Sequence, residues 1–117
     1  MNYRRLKKKK DFSRLLKEGK RAHAPTLTVV YLPSDGTRMA VCVGKKHGKS
    51  VQRNRVKRLL REAFRIQAEH IAACDLLLIP KVSGEYSFAA FKRDIGKILL
   101  REKLIEGNAK NNLRAEP

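Results

Sequence analysis

The chain has 117 residues, 28 Lys and Arg against 11 Asp and Glu, and a formal net charge of +17. That length holds one domain, and 42% hydrophobic residues can fill a modest core, which excludes wholesale disorder. No apolar run reaches the roughly 18–20 residues of a membrane span, no apolar stretch follows the basic Met1–Lys10 as in a secretory signal, and Cys42 and Cys74 have neither metal-site nor disulfide-framework spacing. The two cysteines are read as buried thiols of a cytoplasmic protein.

In chain order, Asp11–Glu18 reads as a short helix, with Phe12, Leu15 and Leu16 on one face, Asp11 near its start and Gly19 as its stop. Thr26–Pro33 is β-branched and reads as a strand. Ser34-Asp35-Gly36 reads as a turn, so Arg38–Gly44 becomes the second strand of a hairpin. Lys45–Lys49 reads as a loop. Ser50 to about Ala73 reads as the longest helix. Asp75–Pro80 is a buried strand. Ser87 to about Glu106 is a last helix with Phe88, Phe91, Ile95, Ile98 and Leu99 inward. These elements predict an α+β domain over residues 1–106, with helices packed on a mostly antiparallel sheet of three to four strands, and a flexible tail at 107–117.

The charge is segregated. Residues 1–21 hold ten basic side chains and two acids, and residues 45–65 hold nine and one, so these two blocks carry +16 of the +17. At 100° per residue, Val56, Leu59, Leu60, Ala63, Phe64 and Ile66 form one stripe of the long helix, while Asn54, Lys57, Arg58, Arg61 and Arg65 fall opposite. Arg53 and Arg55 flank the stripe. Like charges recur four residues apart at Arg53–Lys57, Lys57–Arg61 and Arg61–Arg65, each pair costing about 0.2–0.5 kcal/mol. The cluster also sits at the helix N-terminus, where the macrodipole already disfavours cations. A helix selected for stability alone would carry Glu there. Phosphate suits this geometry, because helix N-termini attract anions and Arg offers forked donors.

The residues Val43–Arg65, with their Arg53-Asn54-Arg55 core followed by Lys57-Arg58 and Arg61, closely resemble the signature of the bacterial ribonuclease P protein component. Leu6-Lys7-Lys8, Asp11-Phe12 and Gly19 match it as well, and the resemblance spans residues 6 to about 100. It implies a subunit of the endonuclease that removes the 5′ leader of precursor tRNA. There the RNA subunit performs the chemistry with Mg²⁺, which the RNA mainly holds. The protein binds that RNA, one protein per RNA subunit, and contacts the leader. By position, Arg53, Asn54, Arg55, Lys57, Arg58, Arg61 and Arg65 are implied to face the catalytic RNA. Phe12, Leu16, Tyr31, Lys45 and Lys46 are implied to border a cleft for the leader. A left-handed strand–helix–strand crossover is implied too, against the usual rule. Leu16 stands where an aromatic residue is common in the family, which weakens stacking there.

No protein catalytic residue and no protein metal site are expected: His23, His47 and His70 have no Ser, Cys or carboxylate at a recognisable spacing. His47 has two readings, a phosphate contact or a solvated loop residue. Phe12 likewise reads as core or as a base-stacking platform. Asp11, Asp35, Asp75 and Asp94 have ordinary capping or turn readings. Two rival functions stand beside the resemblance. A general RNA-binding protein of ribosomal type explains the charge equally well. A basic amphipathic helix on a membrane or a calmodulin-like partner explains the helix but not the block at 1–21.

Overall fold

The computed structural model describes residues 4–105. Its elements are β1 (Arg4–Arg5), α1 (Lys9–Glu18), β2 (Lys20–His23), β3 (Leu27–Pro33), β4 (Arg38–Val41), α2 (Ser50–Arg65), β5 (Cys74–Pro80) and α3 (Phe88–Arg101), with short 3-10 turns at Lys45–His47 and Ala68–His70. The tail expected at 107–117 lies outside the described residues. Among the described residues no helix is long and apolar enough to cross a membrane.

The sheet has five strands in the order β1-β4-β5-β3-β2. The expected hairpin does not form: β5 lies between β3 and β4, antiparallel to the first and parallel to the second. The reason is burial. Cys74 to Leu78 are all buried and can be satisfied only in the middle of a sheet covered on both faces. Parallel and antiparallel pairings are therefore equal in number, two of each, rather than mostly antiparallel. The additional strands, β1 and β2, are edge strands whose residues are exposed except Ala22, so their basic sequences carry no alternation to read.

Period-2 alternation divides the core into two layers. On one face, Leu27, Val29, Tyr31, Met39, Leu76 and Leu78 pack under α2 and α3, against Val56, Leu60, Ala63, Phe64, Phe91, Ile95 and Ile98. On the other, Val30 and Leu77 pack with Leu6 and with Leu15 of α1, and Phe12, Leu32, Ala40 and Ile79 border them.

α2 ends at Arg65, about 24 Å from its start and eight residues short of the expected Ala73. Gln67 Nε2 donates to the Ala63 and Lys92 carbonyls at 2.9 and 3.0 Å, tying the chain to α3 where the helix stops. Ile66 consequently leaves the apolar stripe and is 42% exposed. α3 begins at Phe88, with Ser87 Oγ accepting from Ala90 N at 3.2 Å, and ends at Arg101. Leu104 then folds back, its N–H on Leu99 O at 2.8 Å. Cys42 is exposed, against expectation, and Cys74 is buried.

Gly19 is where α1 turns into β2. A Cβ there would meet the Leu15 carbonyl and lie 2.7 Å from Val30 Cγ1. Gly19→Ala should therefore cost about 1–3 kcal/mol, the range for overpacking a close-packed site. Calorimetry should show Tm lower by several degrees; an unchanged Tm would mean that α1 is not seated against Val30.

Candidate nucleic-acid interface

The interface begins with the 45–49 segment, which aims the start of α2. Gly48 adopts φ +112°, a conformation other residues enter only with strain, and a Cβ would also crowd Gln52. Lys45, Lys46 and Lys49 are exposed around it. Lys49 caps α2 without a side-chain hydrogen bond, and no acid lies in the first turn. The free N–H groups of that turn thus add to a positive field rather than being quenched by a carboxylate.

Along α2 the apolar stripe is buried and the opposite side is bare charge. Asn54, Arg55 and Arg58 are exposed, and Lys57 and Arg61 are half-buried. Among the described residues none of Arg55, Lys57, Arg58 and Arg61 has a carboxylate within ion-pair distance. The block's one acid, Glu62, is taken by Arg65, whose Nε lies 3.2 Å from Oε1 and whose Nη2 bonds Oε2; this contact holds the Glu62 carboxyl below its ordinary range. Arg53 donates Nη2 to Ser50 Oγ at 3.3 Å, and its Nε is buried without a partner. Val51, in the same first turn, is 83% exposed.

Two concavities share Arg61. One, of about 360 Å³, is lined by Asn54, Arg58, Arg61, Glu62 and Arg65. The other, of about 320 Å³, is lined by Arg5, Leu6, Phe12, Met39, Ala40, Val41 and Arg61. The second runs along β4 past the last β1 pair, Arg5↔Met39, where Leu6 N still reaches Met39 O at 3.0 Å. It is an apolar trough with guanidinium groups from both basic blocks at its rim, suited to one extended polyanionic strand carrying flat apolar groups. Arg5 and Arg61 join the two blocks in space although 55 residues separate them in sequence.

Of the five residues expected at a leader cleft, only Phe12 lines this groove. Leu16 is one turn further along α1, 45% exposed and outside it. Lys45 and Lys46 belong to the turn before α2. Tyr31 lies outside it on β3, with Val29 on the α2–α3 face, and its hydroxyl donates to Glu102 Oε1. Burial and that carboxylate push the Tyr31 phenol up to about 12. Val30, one residue earlier, faces α1 instead. Shifting a strand by one residue exchanges its faces. Arg5, Leu6, Met39, Ala40 and Val41 were not identified from sequence as site residues. Arg5 could have been reached through its basic block, whereas the other four depend on where β1 ends.

His47 is neither solvated nor a surface phosphate contact. It is 4% exposed, its Nδ1 shares a hydrogen bond with Tyr86 Oη at 2.8 Å, and its Nε2 is buried without a partner. Tyr86 Oη also accepts from Ser83 N, so this bond pins the basic turn to the segment before α3. Asp75 and Asp94 likewise exceed capping roles. Asp94 is fully buried and accepts from Thr26 N and Oγ1 at 3.0 and 2.6 Å. Asp75 is bound by Arg38. Asp11 does not cap α1; it too binds Arg38.

Burial, then the Lys46 charge, lowers the His47 pKa below its ordinary 6.5. The unfolded chain therefore binds the extra proton first as pH falls through about 6.5, and stability should fall between that pH and the lower folded-state value. Thermal melts of wild type and His47→Asn between pH 8 and 5.5 check this. The variant should lose part of the acid-side slope; identical slopes would contradict a buried neutral imidazole.

A family model described as Ribonuclease P matches residues 1–103. The ribonuclease P protein component of Clostridioides difficile is 39% identical over 97 residues, covering 79% of this chain and 82% of that protein. The solved Staphylococcus aureus RNase P protein superposes with a TM-score of 0.77 at 28% identity, over 87% of this chain and 97% of that one. The Thermotoga maritima RNase P protein gives 0.74 at 30%, over 88% and 98%.

Proposed function

Because the chain belongs to the ribonuclease P protein family, and so is the protein component of that ribonucleoprotein enzyme of tRNA processing, we propose that it uses two surfaces for two RNAs. The face of α2 carrying Asn54, Arg55, Lys57, Arg58 and Arg61, with Arg53 and Arg65 at its sides, docks on the catalytic RNA. The groove between α1 and β4 takes the single-stranded 5′ leader of precursor tRNA, with Arg5 and Arg61 on its phosphates and Phe12 against a base. Lys45, Lys46 and Lys49 extend the positive surface beyond the start of α2.

The observation that carries this reading is the unquenched row of Arg55, Lys57, Arg58 and Arg61 continuing through Arg61 into the groove. A self-repelling row of this kind gains its counter-charge from a phosphate backbone, and counterion release supplies much of the affinity. Arg61 links the two surfaces, so the leader and the catalytic RNA are held side by side. The reading leaves hydrolysis and its Mg²⁺ to the RNA, in a cytoplasmic complex of one protein and one RNA. A ribosomal-type role accounts for the charge but not for the apolar trough, and the family match disfavours it.

Adding the protein to its cognate RNA subunit at low Mg²⁺ should restore precursor cleavage, and absence of rescue would refute the assignment. RNA-subunit affinity should fall about 10³–10⁵-fold between 50 and 200 mM salt if roughly 6–10 phosphates are contacted. A flat salt response would contradict a phosphate-docked face.

A further inference from the structure

We propose that the ion-pair chain Asp11–Arg38–Asp75 is the positioning device of the groove, holding the first half of α1 at the separation from β4 that a leader strand requires. Arg38 grips Asp75 with two parallel bonds, Nε to Oδ1 and Nη2 to Oδ2, both 2.8 Å. Its third nitrogen, Nη1, donates to Asp11 Oδ2 at 2.9 Å. Asp75 is 4% exposed and also accepts from Ser34 Oγ at 3.2 Å, so its end of the chain is fixed in the sheet. One guanidinium thus ties β5, β4 and α1.

Three features place this tie at the groove. Asp11 precedes Phe12, the wall that α1 contributes. Arg38 is two residues before Ala40, which lines the groove on the same face of β4. And this end of the helix is lightly anchored, with the half-buried Phe12 as its contact with the second core layer. Leu15 is the single fully buried residue of α1, in its second half, and Lys8 caps the helix without a side-chain bond.

The electrostatics make such a tie necessary. Lys7 to Lys10 are exposed at and just before the start of α1, and the rim of the groove carries Arg5 and Arg61. Like charges across a narrow trough push its walls apart. Asp11 and Glu18 are the acids of α1, and Glu18 pairs with Arg14 on the helix itself, at 3.7 Å. That leaves Asp11 as the carboxylate that draws α1 towards the sheet. Its position is also recoverable from sequence only through Arg38, 27 residues away.

This inference rests on the groove being the leader site, and the test separates the two. Holoenzyme reconstituted with Asp11→Asn is compared with wild type for binding of precursor tRNA and of mature tRNA lacking the leader. Arg38 keeps both bonds to Asp75 in this variant, so the sheet stays intact. Precursor affinity should fall about tenfold, the step that about 1.4 kcal/mol makes. Affinity for mature tRNA and for the RNA subunit should stay within about twofold, and Asp11→Glu should restore most of the loss. If wild type distinguishes the two tRNAs and Asp11→Asn does so equally well, the clamp has no positioning role. An equal loss for both tRNAs would also overturn it. If wild type itself binds both alike, the groove is not the leader site and the inference falls with that reading.

Discussion

The protein is organised around repulsion among its own cations. On α2 one side is buried in the sheet through Val56, Leu60, Ala63 and Phe64, while the other holds Arg55, Lys57, Arg58 and Arg61 with no carboxylate in reach among the described residues. Burial of an apolar side chain contributes about 1.5–3 kcal/mol, whereas each like-charge pair costs about 0.2–0.5 kcal/mol. The stripe therefore outweighs the repulsion several times over. The helix can be held entirely from its inner side, leaving its outer side free to be selected for a ligand instead of for stability.

The same division shapes the rest of the molecule. The sheet is covered on one face by α2 and α3 and on the other by the short α1 alone. The thinly covered face leaves a trough at the edge of β4, and there the two basic blocks meet through Arg5 and Arg61. Four of the acids are spent on architecture rather than on neutralising the surface, while Glu18 and Glu62 pair with arginines on their own helices. Asp94 anchors Thr26, Glu102 receives Tyr31 and Lys20, and Asp75 and Asp11 receive Arg38. Carboxylates placed inside the scaffold leave the phosphate-facing surfaces strongly positive, with Glu62 the acid on the α2 face and already held by Arg65.

Much of this was legible in the chain because periodicity reports which side of an element is buried. The stripe on α2, the inner face of α3 and the buried run of β5 were all visible that way. What periodicity cannot report is which strands are neighbours. Ser34-Asp35-Gly36 signals a turn correctly, yet the demand of Cys74–Leu78 for burial on both faces places β5 between the two strands that the turn connects. Tyr31 shows the limit at the level of one residue. Its resemblance to a cleft residue is a matter of position, and a shift of one along a strand moves a side chain through the sheet to the opposite layer. His47 shows another. A histidine between lysines and glycine reads as loop, and only its distant partner Tyr86 makes it core. Ile66 left the apolar stripe because Gln67, bonded to Lys92 O on α3, ends the helix early.

The central claim, that the outer face of α2 exists for a polynucleotide and not for the fold, is tested most directly by Arg58→Glu combined with Arg61→Glu, measured for melting temperature and for binding to the RNA subunit across a salt series. The account predicts an unchanged or higher Tm, because repulsion along the helix is relieved, together with weaker binding and a salt slope reduced by about two phosphate contacts. A Tm lower by several degrees with RNA affinity and salt slope preserved would show that those guanidinium groups serve the protein's own structure, and would contradict the account.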